Sequence, residues 1–341
     1  MPSSILTEPI AGRSAWTGAD LARDNQSWSL RFSDAALAEI DACLARVKAS
    51  GTPLDAIGRA EFPLASLRAE IDRVLDELEN GRGFVRIQGL PVDRYPDEDL
   101  GIIFKGVASH LGKLVSQNAK GHLLGYVRDE GLRMDRDPNV RKYLTNERQR
   151  FHTDIGADVV GLLCVRQSMC GGESMVASSM GIYNAFLAKY PWYVGVLYER
   201  FWYDWRGEEP PGSPPIYCRP IYAYHEGRLS CRVSLSLMEA AQKRDDVPKL
   251  TAVQREALQL LESLAEQHAF HYRFEPGEIQ FVSNYMVLHD RMGFEDYPDP
   301  AKRRLLLRVW LTTPNARKLP AEWADTAIRG GIAAKPASVT A

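Results

Sequence analysis

The sequence predicts a mainly β protein, a sandwich or barrel of short strands with helices packed around it. Three observations carry this. Beyond residue 83, short apolar segments rich in strand formers recur between turn residues. Stripes with helical period precede them and interrupt them. No segment repeats at a fixed period, so a solenoid or propeller is excluded. With 341 residues, 45% hydrophobic, the chain is long enough to bury a sizeable core.

Ser33 is placed to cap a helix whose apolar residues Leu37, Ile40, Leu44 and Val47 recur at three- and four-residue steps. A second stripe, Leu64, Leu67, Ile71, Leu75 and Leu78, has Pro63 at its start and Gly81 beyond its end. Gly83 to Leu90 reads as a strand closed by Pro91, and Leu100, Ile103, Phe104, Val107 and Leu111 as a further helix. From Leu114 to Arg150 the chain is polar and without clear period, and a loop of that length inside a domain is usually functional. Strands are then expected from Val159 to Gln167, Ser174 to Ala177, Pro220 to Tyr224 paired with Leu229 to Ser234 across His225-Glu226-Gly227, Ala269 to Phe274, Ile279 to Val282 and Leu305 to Thr313. Helical stripes around Tyr183, Phe186, Leu187 and Tyr190, and around Val253, Leu260, Leu261 and Leu264, are expected on the outside of the sheets. After Ala316 the periodicity is lost, which predicts a loosely held tail.

Lys and Arg total 42 against 44 Asp and Glu, a formal charge of -2, so no global field draws the chain to nucleic acid or to an anionic membrane. The expected partner is a small molecule, and the oligomeric state is left open. Cys43, Cys164, Cys170, Cys218 and Cys231 form no CxxC pair, and their odd number speaks against a closed disulfide framework. Reduced thiols and a cytoplasmic location are expected. Glu8 and Arg13 interrupt the start where a secretory signal needs an apolar stretch, and no apolar run approaches the roughly 18 residues of a spanning helix.

Phe151-His152-Thr153-Asp154 sets an imidazole and a carboxylate two residues apart, on one side of a strand. With a third donor they would form the two-histidine, one-carboxylate face that leaves open positions on a ferrous ion. Seven histidines exist, and His289 is the best third donor, reached where a loop is expected to open after the Ile279 strand. Beyond it, Arg304 and Arg308 share strand parity in an otherwise apolar segment, while Arg303 faces the other way. A guanidinium directed into a barrel calls for an anion there. A dicarboxylate would satisfy one of the two by a bidentate pair.

Together, FHTD at 151–154, CGGES at 170–174, the spacing of Asn284 and His289, and RRLLLR at 303–308 resemble the taurine dioxygenase and TfdA-like branch of the iron(II)/2-oxoglutarate oxygenases, close also to clavaminate synthase-like enzymes. The resemblance runs from about Gly83 to Thr313. It implies a double-stranded β-helix (jelly-roll) core in residues 83–315 with an insertion at about 185–265, a helical region at 1–82 and the tail at 316–341. It also implies Fe(II) held by His152, Asp154 and His289, with 2-oxoglutarate and O2 as cosubstrates. The implied reaction hydroxylates an unactivated C–H of a small carboxylate- or amino-acid-like substrate, releasing succinate and CO2. Arg304 matches the arginine that holds the distal carboxylate of 2-oxoglutarate, and Ser174 stands where the family often has a threonine that contacts the cosubstrate. Arg308 matches a position that in some members meets an anionic group of the primary substrate. Halogenating members lack the carboxylate, so Asp154 points to hydroxylation or a related oxidation.

Asn118, Asn146 and Tyr126 lie in the long polar loop and are candidates to line a substrate pocket. Trp202, Tyr203 and Trp205, followed by four prolines, read either as a lid or as a packed insertion. Two other functions fit the same donors: a zinc-dependent hydrolase, and a non-catalytic barrel that binds a small acid.

Overall fold

The computed structural model describes residues 4–24, 27–133, 135–137, 139–324 and 329–335. The short helix α1 (Gly18–Arg23) opens with a capping box between Thr17 and Asp20. After β1 (Ser29–Arg31), helix α2 (Asp34–Ser50) is capped by Ser33, as its sequence requires, and closed by Gly51 at φ 65°. Helix α3 (Arg68–Glu79) starts later than the Leu64 stripe predicts. Glu39 accepts the N–H groups of Ala65 and Ser66 at 2.8 and 3.0 Å and holds that segment in a turn, while Leu64 and Leu67 are buried all the same. Then come β2 (Phe84–Gln88) and α4 (Asp97–Ser109), as expected.

The polar stretch before residue 150 is more ordered than its lack of period suggests. It contributes β3 (Lys113–Val115), β4 (Leu124–Val127) and β5 (Gln149–His152). The first two are strands because they find a partner in the last long strand rather than because their own side chains alternate. There follow β6 (Val159–Arg166), β7 (Cys170–Gly171), β8 (Ser174–Ser178), α5 (Ser179–Lys189) and the hairpin of β9 (Phe201–Asp204) with β10 (Ile216–Arg219). A second hairpin joins β11 (Tyr222–His225) to β12 (Arg228–Cys231) through Glu226 and Gly227, at φ 47° and 77°. It is a two-residue turn, one residue shorter than the sequence suggested. The chain closes with α6 (Leu235–Gln242), α7 (Ala252–His268), β13 (Phe270–Tyr272), β14 (Ile279–Ser283), β15 (Val287–Arg291), β16 (Phe294–Glu295), β17 (Leu305–Thr312) and α8 (Ala321–Ala324).

The larger sheet has the order β1-β2-β14-β6-β17-β3, with β4 also on β17, and the smaller has the order β13-β8-β15-β5. This is a jelly-roll core of two sheets rather than a closed barrel, mainly β with flanking helices. Strand β17 shows why its sequence reads as a continuous apolar run. Leu305, Leu307, Val309 and Leu311 pack with Ile40, Ile103 and Phe104 of the amino-terminal helices, while Leu306 and Trp310 face the cluster shared with Val176 and Leu288 of the smaller sheet. A strand covered on both faces loses the apolar-polar alternation.

The described part of the carboxy-terminal stretch is docked rather than loose. Ile332 and Lys335 donate backbone N–H groups to Ser116 and Ala119 at 2.9 and 2.8 Å. Arg317, 5% exposed, donates to Glu79 Oε1 at 3.0 Å and to the Leu229 carbonyl at 2.7 Å. Single polar anchors of this kind leave no periodic trace in a sequence. Breaking one side of a buried ion pair costs about 3–5 kcal/mol, and Arg228, also 3.0 Å from Glu79, offsets part of that. Arg317→Met should therefore lower the unfolding free energy by about 2–3 kcal/mol in urea melts, and adding Glu79→Gln should recover most of the loss.

Candidate active site

Strands β5 and β15 run antiparallel with His289 paired opposite His152, and their rings lie 4.2 Å apart between centroids. His289 is not at a loop, as the sequence suggested. It sits in the middle of β15, between β5 and β8, because the turn comes earlier, at residues 284–286. His152 Nδ1 is 2.9 Å from the Arg150 carbonyl, and its Nε2 is 2.9 Å from the amide nitrogen of Gln149. The first contact requires Nδ1–H to donate, since a carbonyl oxygen only accepts. Burial, the largest effect, holds His289 down to about 3, so this imidazole is neutral. The 3.6 Å approach of His289 Nε2 to Asp154 Oδ2 is thus no ion pair but two donor atoms converging. Burial works to raise the Asp154 carboxyl, yet its surroundings, the Arg308 guanidinium foremost and the Trp310 indole N–H among them, outweigh it and hold it below the usual carboxylate range. Ligand atoms of His152, Asp154 and His289 all lie within 4.8 Å of one another. Two imidazoles and a carboxylate are the donor set that a ferrous facial site requires.

Asp154 lies just beyond β5, where no strand partner serves its backbone. Asn284 accepts its N–H at 2.8 Å and donates to the carbonyls of Asp154 and Ala157 at 2.7 and 2.8 Å. Arg232 donates to the carbonyls of Asp154, Ile155 and Ala157. Both side chains are fully buried. Asn284 belongs to a motif the sequence displays, whereas nothing in the sequence distinguishes Arg232.

Arg304, immediately before β17, is 2% exposed, and its Nε and Nη1 have no hydrogen-bond partner. Burial pushes it down to about 10. It lines a small cavity with Ser174, Gln280, His289, Arg291 and Arg308. Arg291, which the sequence reading passed over, is also buried and has two unpartnered nitrogens, Nε and Nη1. Among the described residues neither guanidinium has an ion-pair partner, and unpaired buried cations of this kind suit a small anion. Arg303 is exposed on the opposite side, as strand parity predicts.

A larger cavity of about 520 Å³ opens on the other side of the triad, walled by Gln117, Arg141, Arg206, Glu208, residues of α6, Trp310 and the loop around Tyr143. Tyr143, Gln149, His152 and Arg308 line both cavities, so the two meet at the triad. Arg308 is fixed at this junction: its Nε donates to Gln117 Oε1 at 2.7 Å, and Gln117 Nε2 returns a bond to the Arg308 carbonyl at 2.7 Å.

Asn118, Asn146 and Tyr126 line neither cavity. Asn118 closes a turn by accepting Lys120 N–H at 2.9 Å, Asn146 gives its carbonyl to Phe294 N–H at 3.1 Å, and Tyr126 is 40% exposed beneath Arg128. Loop asparagines commonly serve their own backbone, and the residue that reaches the cavity is the neighbouring Gln117. Of the aromatic run, Tyr203 and Trp205 are buried and pack on Tyr217, so it is a packed insertion. The loop that follows it carries Arg206 and Glu208 into the cavity.

The family model for the taurine catabolism dioxygenase TauD, TfdA family matches residues 50–310. This chain belongs to the TauD/TfdA family. As a TauD/TfdA protein it is an iron(II)- and 2-oxoglutarate-dependent oxidoreductase, which leaves the zinc hydrolase and the non-catalytic barrel without support. FR-33289 synthase of Streptomyces rubellomurinus is 32% identical over 336 residues, 97% of this chain and 98% of that protein. Taurine hydroxylase-like protein SAT17 of Stachybotrys chartarum is 27% identical over 304 residues, 86% of this chain and 77% of that protein. Among solved structures, an asparagine oxygenase in complex with Fe(II), hydroxyasparagine and succinate has a TM-score of 0.66 at 18% identity, covering 83% of this chain and 93% of the other. The non-heme iron oxygenase OrfP with Fe and alpha-ketoglutaric acid has a TM-score of 0.61 at 16% identity, covering 89% of this chain and 99% of its own. These structures share the fold of this TauD/TfdA chain.

Groups that orient a ligand commonly set metal affinity by about ten- to a hundredfold. Asn284→Ala should weaken Fe(II) or Co(II) binding by about that factor, read by direct metal titration, with the circular dichroism spectrum unchanged.

Proposed function

We propose that the chain hydroxylates a C–H bond of a small anionic substrate, carboxylate- or amino-acid-like, with His152, Asp154 and His289 holding the iron. The observation that carries this reading is the meeting of two cavities at the triad, one small and lined by unpaired buried arginines, the other large. Bound iron with 2-oxoglutarate and O2 supplies the oxidising power for hydroxylation, and succinate and CO2 are released.

The chain's own residues do the rest. His152 and His289 offer ring nitrogens to the metal, and ionised Asp154 adds the negative charge. Arg304 and Ser174 hold 2-oxoglutarate: the orphaned Nε and Nη1 leave the Arg304 guanidinium free to donate to an entering carboxylate, and Ser174 lines the same small cavity. Arg308, at the junction and 3.8 Å from Asp154 Oδ1, orients that carboxylate and faces an anionic group of the substrate. Trp310 and Tyr143 wall the junction and exclude water from the reacting atoms. The catalytic unit on this reading is residues 83–315, with the insertion forming the far wall of the large cavity. No described helix is long and apolar enough to cross a membrane, and the five cysteines are free, which fits a reducing compartment such as the cytoplasm.

Mass-spectrometric screening of small acids for those that raise succinate output tests the reading, and metal-dependent output with none of them would count against it. His152→Ala, Asp154→Ala and His289→Ala should each abolish succinate formation while the protein stays folded. Arg304→Gln should raise the Michaelis constant for 2-oxoglutarate by about ten- to a hundredfold. Full activity in the Asp154→Ala protein would remove the triad assignment.

A further inference from the structure

The large cavity carries more cations than its acids neutralise. Six basic side chains line it, Arg141, Lys142, Arg150, Arg206, Lys243 and Arg308, against the four acids Glu147, Asp154, Glu208 and Glu239. Each acid already has a cation. Arg141 pairs with Glu208, Lys142 with Glu147 at 3.8 Å, Arg150 with Glu239 at 2.8 Å and Arg308 with Asp154 at 3.8 Å. Arg206 and Lys243 are left over, and neither makes an ion pair among the described residues.

Arg206 is held in place by its backbone. Its φ of 51° is left-handed, a conformation that side chains other than glycine rarely adopt, and strain of this kind clusters at ligand sites. Its N–H donates to Asp204 Oδ1 at 2.7 Å, and its Nη2 donates to the Ser236 carbonyl at 2.9 Å. Its Nε is buried with no acceptor among the described residues. Arg308 is different: its Nε is taken by Gln117, and it faces the Asp154 carboxylate.

Resting on the reading of this cavity as the substrate site, we infer that Arg206, with Lys243 as the second unmatched cation of the wall, receives an oxyanion of the primary substrate. The charged end of the substrate then lies on the loop after β9, and the C–H to be oxidised points toward the triad. Specificity for the acidic group thus comes from the insertion, while the jelly roll supplies the chemistry. Two unmatched cations favour a dianionic group over a single negative charge.

The test uses the whole protein loaded anaerobically with Fe(II) and saturating 2-oxoglutarate, with loading followed by visible absorption. Saturating cosubstrate keeps the Arg304 cavity filled, so an added anion reports on the large cavity. Calorimetric titration with inorganic phosphate and with acetate should show phosphate binding the wild type at least about tenfold more tightly than acetate. Arg206→Gln should weaken phosphate by about tenfold or more, the effect of losing a charge-assisted bond, and Arg206→Lys should retain part of the affinity. Iron and 2-oxoglutarate loading should be unchanged in both variants. If Arg206→Gln binds phosphate as tightly as the wild type, or if the loaded wild type binds none, this inference is wrong; equal affinity for acetate and phosphate overturns the two-cation assignment. A wild type that fails to load iron and 2-oxoglutarate would instead sink the function proposed above, and this inference with it.

Discussion

The pairing of β5 with β15 is the constraint on which the site depends. A strand shifted by one residue presents its other face, so a slip here would separate His152 from His289. Three devices prevent it. Strand β15 is held on its other edge by β8, in register from Val287 to Arg291. Arg148, one residue before β5, forks onto the buried carboxylate of Asp290, next to His289, at 3.2 and 2.7 Å, and reaches Glu266 of α7 at 2.5 Å. Arg291, two residues beyond His289, gives its Nη2 to the carbonyls of Thr145 and Glu147 in the approach to β5. The histidines are thus latched on both sides by arginines whose partners are their own neighbours in sequence.

Asp154 needs a different support because it lies where the ladder has ended. Backbone carbonyls turned inward without partners are costly, and those of Asp154, Ile155 and Ala157 are all taken by Asn284 and Arg232. Asn284 comes from the turn before β15, and Arg232 from just after the β11–β12 hairpin. His152 itself bridges to Ser234, and Thr153 N–H donates to the Val233 carbonyl at 2.8 Å. The insertion is therefore fastened to the carboxylate-bearing segment through backbone contacts, and a wall of the large cavity is built into the support of the proposed metal site.

The parts of this arrangement that were legible in the sequence share a physical cause. Strand β17, helix α2 and helix α7 declare themselves because burial of one or both faces demands apolar residues at a fixed period. His152, Asp154, His289 and Arg304 were legible because their chemistry is uncommon in an apolar setting. What escaped follows from contacts between distant segments. The edge strands β3 and β4 exist because β17 offers unpaired backbone groups. The docked carboxy-terminal residues are held by single polar bonds. Gln117, Arg206 and Arg232 matter for what they touch across the fold, and a residue type without a period or motif gives no hint of that. Asn118 shows the converse, since polarity in a loop is as readily spent on the loop's own backbone.

The buried cations themselves explain why the two cavities can be kept for different ligands. Burial pushes Arg304 down to about 10 and Arg291 down to about 9, yet both stay charged near neutral pH, so the fold carries desolvated positive charge that it does not neutralise internally. Such charge is tolerated in a marginally stable protein only where the rest of the structure is over-determined. The partial offsets are visible: both guanidiniums lie over the Phe294 ring, at 4.9 and 5.1 Å, which attracts a cation without quenching it. A diacid entering that small cavity would meet unpaired donors in a water-poor setting, where a charge-assisted pair is worth more than at the surface. In the large cavity most charges are already matched, and among the described residues Arg206 and Lys243 are the lining cations that make no ion pair. On the proposed function, enclosure with two bare arginines on one side, and a roomy, largely neutralised wall with a localised excess on the other, would let one junction at the triad receive two acids without confusing them.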